Sequence, residues 1–302
     1  MPIDPSRLPS APALVRVRRP DGTPRLALWR HGRLRALDAT LDELAALPRA
    51  QLETTLSDDT PNREELDPAG LELLAPVETQ EIWAAGVTYR RSREARMEES
   101  TQKDVYAQVY EAERPELFFK APGWRAVPPD GAVGIRSDST WDVPEPELAV
   151  LSNAHGEVVA YTVGNDMSSR SIEGENPLYL PQAKVYDRSC ALGPAAVLAW
   201  EADPSQAGMR MEIHRGGNLL YQGAASLTDL VRTPDALSKV LHGALTLPAG
   251  AWLLTGTSIV PEAAYTARDG DEVVIEIDGI GRLHNRVTTV HVSAAQALPV
   301  SP

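Results

Sequence analysis

Short runs of alternating apolar and polar residues cover much of this chain and predict β-strands. Residues 14–18 alternate, a turn follows at Asp21-Gly22, and residues 26–29 return as a second strand. Near the other end, residues 271–277 alternate again, ahead of a turn at Asp278-Gly279. The pattern therefore predicts a mostly β (α+β) fold with a few helices.

Helix signals are confined to a few segments. Thr40 and Glu43 have the spacing of a capping box, and Pro48 interrupts the short helix that they begin. Thr233 followed by Pro234 has the residue types of an N-cap and a first helical turn. These positions predict two short helical regions among the strands.

Polar residues also suggest where the chain divides. Residues 57–68 are acidic and contain prolines, which is typical of a linker. We therefore expect a small, β-rich N-terminal domain over residues 1–70 and a main domain over residues 71–302. Within the main domain, residues 90–113 are densely charged, and the second half of this segment is predicted to be helical.

Composition narrows the class of protein. The net charge of −13 argues against nucleic acid or an anionic membrane as a partner. It leaves a small-molecule partner open, because small anions respond to local charge. A single cysteine, Cys190, excludes an internal disulfide and a cysteine-built zinc site. The chain has no apolar run of about 20 residues and no signal-peptide pattern at its start, so we expect a cytoplasmic protein.

A predicted hairpin brings three acidic residues together. Glu145 and Glu147 are two positions apart, so their side chains share a face if this segment is a strand. A turn signal at residues 153–156 and an apolar run at residues 158–163 predict the returning strand. With the turn centred near residue 155, antiparallel pairing puts Asp166 beside the two glutamates.

Three converging carboxylates describe an oxygen-only site for a hard divalent cation such as Mg²⁺ or Mn²⁺. Without such a cation they would repel one another. The alternative is a set of solvated acidic residues on an exposed strand. Because apolar residues surround the site on both strands, we expect Glu145, Glu147 and Asp166 to be metal ligands.

Several other residues are candidates for chemistry. Lys184 could be a general base if it lies near a divalent cation, although a lone lysine is more often a surface charge. Arg170 could bind a carboxylate or secure the carboxylate cluster. Thr257 follows an apolar strand, where a hydroxyl suits anion binding or a plain turn. Glu116 and Lys120 share one face of a predicted strand, as catalytic groups or as members of buried ion pairs.

Ordered motifs along the main domain resemble those of a known family. They are Gly86-Val87-Thr88-Tyr89, Pro144-Glu145-Pro146-Glu147, Gly164-Asn165-Asp166-Met167-Ser168-Ser169-Arg170, Lys184 with Asp187, Leu192-Gly193-Pro194, Leu254-Thr255-Gly256-Thr257 and Gly279-Ile280-Gly281. With these motifs the chain resembles the fumarylacetoacetate hydrolase superfamily over roughly residues 80 to 292. The resemblance implies a mixed, partly rolled β-sheet, a Mg²⁺ site in the main, catalytic domain, and a homodimer or homotetramer.

One departure from the family pattern concerns the reaction. Family members that hydrolyse carbon–carbon bonds typically carry a histidine three residues after the tyrosine that corresponds to Tyr89, and this histidine activates water. The present chain has Ser92 at that position, which weakens a water-attack mechanism. The resemblance makes Tyr89 and Ser92 candidates for substrate binding.

Two longer segments, residues 113–120 and 171–182, resemble the corresponding segments of the 2-keto-3-deoxy-D-arabinonate dehydratase branch. That resemblance implies a Mg²⁺-dependent hydro-lyase that converts a 2-keto-3-deoxy sugar acid through a Mg²⁺-stabilised enolate to a product of the 2,5-dioxopentanoate type. Mn²⁺ or Ca²⁺ could replace Mg²⁺. Lys184 would take the proton from carbon 3 and Glu116 would act as the acid, while Arg170 and Thr257 would hold substrate oxygens or the carboxylate cluster.

Other functions remain open from the sequence. Metal and lysine would equally serve the hydrolysis of a 2,4-diketo acid, as in an acylpyruvase, or the decarboxylation of a 2-oxo diacid. A non-catalytic sugar-acid-binding protein is a hypothesis of another class. By analogy of fold, the charged segment at residues 90–113 would be a lid over the metal.

Overall fold

Strands dominate the computed structural model of the protein, which describes residues 3–57, 63–86, 88–89, 112–262 and 264–291. The strands are β1 (Ala13–Arg18), β2 (Pro24–Arg30), β3 (Arg33–Ala36), β4 (Glu65–Leu66), β5 (Glu72–Leu73), β6 (Glu81–Gly86), β7 (Glu116–Pro122), β8 (Ala132–Arg136), β9 (Asp142–Val143), β10 (Pro146–Ser152), β11 (Val158–Asp166), β12 (Ser168–Ser169), β13 (Cys190–Leu198), β14 (Gly208–Arg215), β15 (Asn218–Ser226), β16 (Ala251–Leu254), β17 (Glu272–Ile277) and β18 (Gly281–Val290).

Helices in the described residues are short. The α-helices are α1 (Leu41–Ala45), α2 (Arg49–Ser57), α3 (Arg170–Glu175), α4 (Leu180–Lys184) and α5 (Pro234–His242). Single 3₁₀ turns occupy Pro5–Arg7, Pro68–Gly70, Gly123–Arg125, Pro177–Tyr179, Pro204–Gln206 and Leu227–Asp229. None of the described helices is long and apolar enough to cross a membrane.

A large sheet of eleven strands forms the centre of the molecule, in the order β4-β3-β2-β1-β13-β11-β10-β16-β6-β7, with β5 also paired to β1. Its neighbours are antiparallel except for β16 and β6, which are parallel. A second sheet has the order β15-β14-β17-β18-β8, in which β18 and β8 are parallel. The mostly β fold with mixed sheets is therefore confirmed.

Both faces of the large sheet are covered, which explains why the middle of its central strands is mostly apolar. On one face, Leu148 and Val150 of β10 belong to a core that also contains Met211 and Ile275 from the second sheet. On the other face, the alternate residues of β10 pack with leucines of α1 and α2 in a separate core. Every residue of β10 is consequently buried, as expected for a strand between two layers.

The helix starts agree with the sequence patterns. Thr40 accepts a hydrogen bond from the N–H of Glu43, and the Glu43 side chain accepts one from the N–H of Thr40, so the predicted capping box is present. Pro48 separates α1 from α2. Thr233 caps α5 through the N–H of Ala236. Local signals were sufficient to predict each of these helix starts.

Strands from the first seventy residues join the large sheet directly. β1 pairs with β13 through Ala13 opposite Val197 and Leu14 opposite Ala196. The indole of Trp29 also donates to the carbonyl of Pro9, which secures the segment before β1. The division into domains at residue 70 stays a prediction.

The sole cysteine lies at the centre of this layered core. Cys190 begins β13, opposite Asp166, and is fully enclosed. Burial raises the pKa of its thiol to about 12, so the group is neutral at physiological pH.

Candidate active site

Three buried carboxylates meet at one end of the β10–β11 hairpin. Glu145 immediately precedes β10, Glu147 is its second residue, and Asp166 ends β11. Glu145 and Asp166 exchange backbone hydrogen bonds of 3.2 and 2.9 Å, so they lie directly opposite each other. One oxygen of each carboxylate lies within 4.8 Å of the others. The predicted register and convergence are thus present.

The donor set fits a hard divalent cation. All three side chains are at least 97% buried, and carboxylate oxygens are the ligands that Mg²⁺ and Mn²⁺ prefer. Burial, followed by the charges of Asp166 and Glu145, raises the pKa of Glu147 well above its ordinary value. A carboxylate in this position is stabilised by a bound cation, because the cation offsets both the burial and the repulsion.

Lys184 lies at the same centre, at the end of α4. Its Nζ donates to Glu145 Oε2 at 2.5 Å, to Asp166 Oδ2 at 2.9 Å and to Ser168 Oγ at 2.5 Å. The side chain is almost fully buried and its Nζ lies 5.8 Å from the centre of the Phe118 ring. The surface-charge alternative for Lys184 is therefore wrong: this lysine contacts two of the three carboxylates.

Arg170 approaches the carboxylates from the first turn of α3. Ser169 caps this helix by accepting a hydrogen bond from the N–H of Ile172. The Arg170 Nη2 lies 2.6 Å from Glu145 Oε1, and its Nη1 lies 3.7 Å from Glu173 Oε2. The guanidinium group therefore secures one carboxylate of the cluster while it lines the cleft in front of it.

A cleft opens over the carboxylates, and Glu116 and Thr257 are among the candidate residues that line it. Its described lining residues are Ala85, Gly86, Glu116, Phe118, Glu145, Glu147, Asp166, Arg170, Glu173, Leu180, Lys184, Gly256, Thr257 and Val260. The Glu116 carboxyl lies against Gly86, because a Cβ on that glycine would be 2.0 Å from Glu116 Oε2. The Thr257 Oγ1 accepts a hydrogen bond of 3.2 Å from the N–H of Ile259.

Of the two predicted substrate-binding residues Tyr89 and Ser92, only Tyr89 belongs to the described residues. Tyr89 is buried, forms a β-bridge with Leu230, and is absent from the described residues that line the cleft. Burial, with the charges of Glu147 and Asp229, raises the pKa of its phenol. Ser92 lies outside the described residues, as do residues 90–111 of the predicted lid.

Two further groups contact the carboxylates: Lys120, for which the sequence analysis left a catalytic role or a buried ion pair open, and the backbone of Gly256. Lys120 is completely buried and its Nζ contacts Asp166 Oδ1. The N–H of Gly256 donates to Glu147 Oε2 at 2.6 Å. A lysine inside the apolar strand β7 was one available signal, because a buried ammonium group needs an anionic or polar partner. No sequence pattern indicated that the backbone N–H of Gly256 would contact Glu147.

Comparison with known proteins places this geometry in a family. A model described as the fumarylacetoacetate (FAA) hydrolase C-terminal family matches residues 81–288, more than half of the chain. A probable 2-keto-3-deoxyxylonate dehydratase of Haloferax volcanii is 49% identical over 253 residues, which are 83% of this chain and 87% of the relative.

Two further proteins extend the comparison. A 2-dehydro-3-deoxy-D-arabinonate dehydratase of Saccharolobus solfataricus is 38% identical over 70% of this chain and 73% of the relative. A solved structure of 2-keto-3-deoxy-D-arabinonate dehydratase, complexed with magnesium and 2,5-dioxopentanoate, superposes with a TM-score of 0.81 at 29% identity, covering 92% of this chain and 99% of the other. The chain belongs to the fumarylacetoacetate hydrolase family.

Proposed function

We propose that this protein is a divalent-metal-dependent dehydratase of a 2-keto-3-deoxy sugar acid, of the type that converts 2-keto-3-deoxy-D-arabinonate to 2,5-dioxopentanoate. The observation that carries the proposal is one buried cleft that contains three carboxylates and Lys184, with the Lys184 Nζ 2.5 Å from Glu145 and 2.9 Å from Asp166. Relatives that are 49% and 38% identical are dehydratases of such acids, which supports the substrate class.

Glu145, Glu147 and Asp166 would hold the cation, with Mg²⁺ as the proposed ion and Mn²⁺ or Ca²⁺ as substitutes. The relative with bound magnesium supports this choice. When bound, such a cation supplies a Lewis acid that polarises the 2-oxo group and stabilises negative charge on the substrate.

Lys184 is the proposed base at carbon 3. In its neutral form, which a nearby bound cation would favour, its Nζ would accept one proton from that carbon, and the electrons of the broken C–H bond would form the new carbon–carbon double bond. The buried lysine has three acceptors within hydrogen-bonding distance, so its Nζ is fixed in position before substrate enters. Fixing the base in this way reduces the reorganisation needed during proton transfer.

Glu116 is the proposed acid at carbon 4. It lines the cleft and would protonate the hydroxyl group as the C–O bond breaks, so that one water molecule leaves. A proton would then move from the terminal hydroxymethyl carbon to carbon 3, which gives an enol, and transfer of the enol O–H proton to carbon 4 would give the aldehyde. The net change is the loss of one water and no oxidation or reduction.

Arg170 and Thr257 are proposed to hold substrate oxygens, because both line the cleft. A guanidinium group suits a carboxylate or hydroxyl oxygen. Ser92 and Tyr89 stay predicted substrate-binding residues. A homodimer or homotetramer also stays part of the proposal, with light scattering during size-exclusion chromatography as its test.

The decisive experiment incubates purified protein and Mg²⁺ with 2-keto-3-deoxypentonates of both configurations at carbon 4. We expect 2,5-dioxopentanoate to form and to stop forming when excess chelator is added. Parallel reactions with an acylpyruvate and a 2-oxo diacid test the rival reactions. Release of pyruvate from the acylpyruvate, without dehydration of any pentonate, would establish a hydrolase instead.

A further inference from the structure

Each carboxylate of the proposed metal site has one oxygen in contact with a donor other than Lys184, which contacts the second oxygen of Glu145 and of Asp166. The three donor–acceptor pairs are Arg170 Nη2 with Glu145 Oε1 at 2.6 Å, the Gly256 N–H with Glu147 Oε2 at 2.6 Å, and Lys120 Nζ with Asp166 Oδ1. The three donors come from different elements, namely α3, the loop after β16, and β7. The same arrangement thus occurs three times around one centre.

Lys120 is the donor of β7. It has no exposed surface, and its Nζ also donates to the carbonyl of Met167 at 3.0 Å and to the carbonyl of Lys184 at 2.5 Å. Its third neighbour is the Asp166 carboxylate, with which it forms an ion pair. Lys120 does not line the described cleft, so it is not placed to contact a substrate there.

The two lysines divide the oxygens of Asp166 between them. Lys120 contacts Oδ1, whereas Lys184 contacts Oδ2 at 2.9 Å. Lys184 lines the cleft, so Oδ2 is the oxygen on the cleft side. The ion pair with the buried Lys120 keeps Oδ1 turned away from that side.

We infer that Lys120 is a positioning residue that limits Asp166 to one ligand oxygen, and that it thereby favours a small divalent cation such as Mg²⁺ or Mn²⁺ over Ca²⁺. The physical reason is coordination number. Mg²⁺ takes six ligands in near-ideal octahedral geometry, whereas Ca²⁺ takes six to eight oxygens and often both oxygens of a carboxylate. The inference rests on the proposed function only in that the cleft is taken to hold a divalent cation.

The test measures metal binding rather than turnover. Wild-type protein, Lys120→Met and Lys120→Gln are freed of metal by chelation, and Mn²⁺ binding is followed by electron paramagnetic resonance, with Ca²⁺ as the competitor. Lys239→Met is the matched control, because Lys239 is an exposed lysine of α5. We expect the ratio of the Ca²⁺ to the Mn²⁺ dissociation constant to fall about tenfold in Lys120→Met, less in Lys120→Gln, and not at all in Lys239→Met.

A purely structural Lys120 would give a different result. The variants would then melt at a lower temperature, but the folded protein would keep the wild-type ratio of dissociation constants, and this outcome would overturn the inference. Since no substrate is used, the result is independent of the proposed reaction. A protein with the expected change in ratio and no dehydratase activity would contradict only the proposed function.

A second measurement uses the wild-type protein and does not depend on the folding of a variant. Infrared difference spectra with and without Mg²⁺, on protein with ¹³C-labelled aspartate carboxyl groups, report how Asp166 binds the ion. We expect the wide separation of the two carboxylate stretching bands that accompanies one-oxygen coordination. The narrow separation of two-oxygen coordination would overturn the inference.

Discussion

Lys184 is the residue on which turnover is expected to depend most. Replacing it with methionine keeps much of the side-chain volume but removes the proposed base, so the turnover number should fall about 10²- to 10⁴-fold. The assay follows 2,5-dioxopentanoate at saturating Mg²⁺, because the ion offsets the repulsion between Glu145 and Asp166 that the lost ammonium group leaves. Lys239→Met is the control, and equal turnover in both variants would exclude Lys184 as the base.

A second prediction for a single residue concerns Asp142 and the pH dependence of stability. Burial raises the pKa of this carboxyl to about 6 from 3.8. Because the folded state holds the proton more tightly than the unfolded chain, the ionised form costs stability as the pH rises from about 4 to about 6. Asp142→Asn cannot ionise, so its free energy of unfolding relative to wild type should rise across this window and stay level above it.

Urea denaturation at pH 4.5 and pH 7.5 measures this difference. The variant is compared with wild type at the same pH, so that effects of pH common to both proteins cancel. A difference between variant and wild type that is the same at both pH values would show that Asp142 has no raised pKa in the folded protein.

Residue types and spacing alone predicted that Glu145, Glu147 and Asp166 converge, because their positions are fixed by strand parity and a short hairpin. Lys120 was visible as a lysine in an apolar strand, but its partner could not be deduced. That partner is Asp166, 46 residues away in the chain and on another strand. Such a contact depends on how distant strands are ordered in the sheet, which local patterns do not encode.

At the scale of the element, the close approach of β6 and β7 constrains the proposed acid. A Cβ on Gly86 would lie 2.0 Å from Oε2 and 2.7 Å from Cδ of Glu116. Gly86→Ala should therefore displace the Glu116 carboxyl and lower turnover about 10²-fold, comparable to Glu116→Gln, with little loss of stability because the displaced atoms end a flexible side chain.

Gly70→Ala is the control for this substitution, because a Cβ there would meet only Pro20 Cγ at 3.8 Å, an ordinary contact. Turnover of all three variants and the melting temperature are compared. Wild-type turnover in Gly86→Ala with lost turnover in Glu116→Gln would contradict the proposed contact.

Elements with strong local signals were predicted well, and irregular ones were not. The β10–β11 hairpin has the predicted turn and register, since Pro146 pairs with Asn165. The pairing of β6 with β7 shifts between Ile82 and Trp83, so that Lys120 is an extra residue on its strand. A bulge of this kind arises from packing against other elements, and alternation along one strand does not reveal it.

For the whole molecule, a ligand that binds only the folded state should stabilise the fold. Mg²⁺ at about 100 times its dissociation constant adds about 2.7 kcal/mol to the free energy of unfolding. We expect a higher melting temperature with Mg²⁺ than with excess chelator, measured by scanning calorimetry. Glu147→Gln should lose most of this increase, because one ligand charge is gone.

Without metal, the same variant should be at least as stable as wild type, since burial and neighbouring charges oppose the ionised form of Glu147. An equal Mg²⁺-dependent increase in wild type and Glu147→Gln would show that this carboxylate does not hold the ion.

The shared sheet also has a consequence for unfolding. Because β1 pairs with β13, we expect the N-terminal strands and the main part of the chain to unfold in one calorimetric transition. Two separated transitions would instead support an independent N-terminal domain ending near residue 70. The linker-like composition of residues 57–68 was recognisable in the sequence, but the pairing of β1 with the central sheet was not.

The enclosed thiol of Cys190 makes this chain convenient for spectroscopy. A neutral, fully buried sulfhydryl should not react with maleimide or methanethiosulfonate reagents while the protein is folded. One cysteine introduced on the surface would therefore carry a spin label or fluorophore without prior removal of the native one. Distances from that probe to Mn²⁺ would then locate the ion by an approach that requires neither crystals nor turnover.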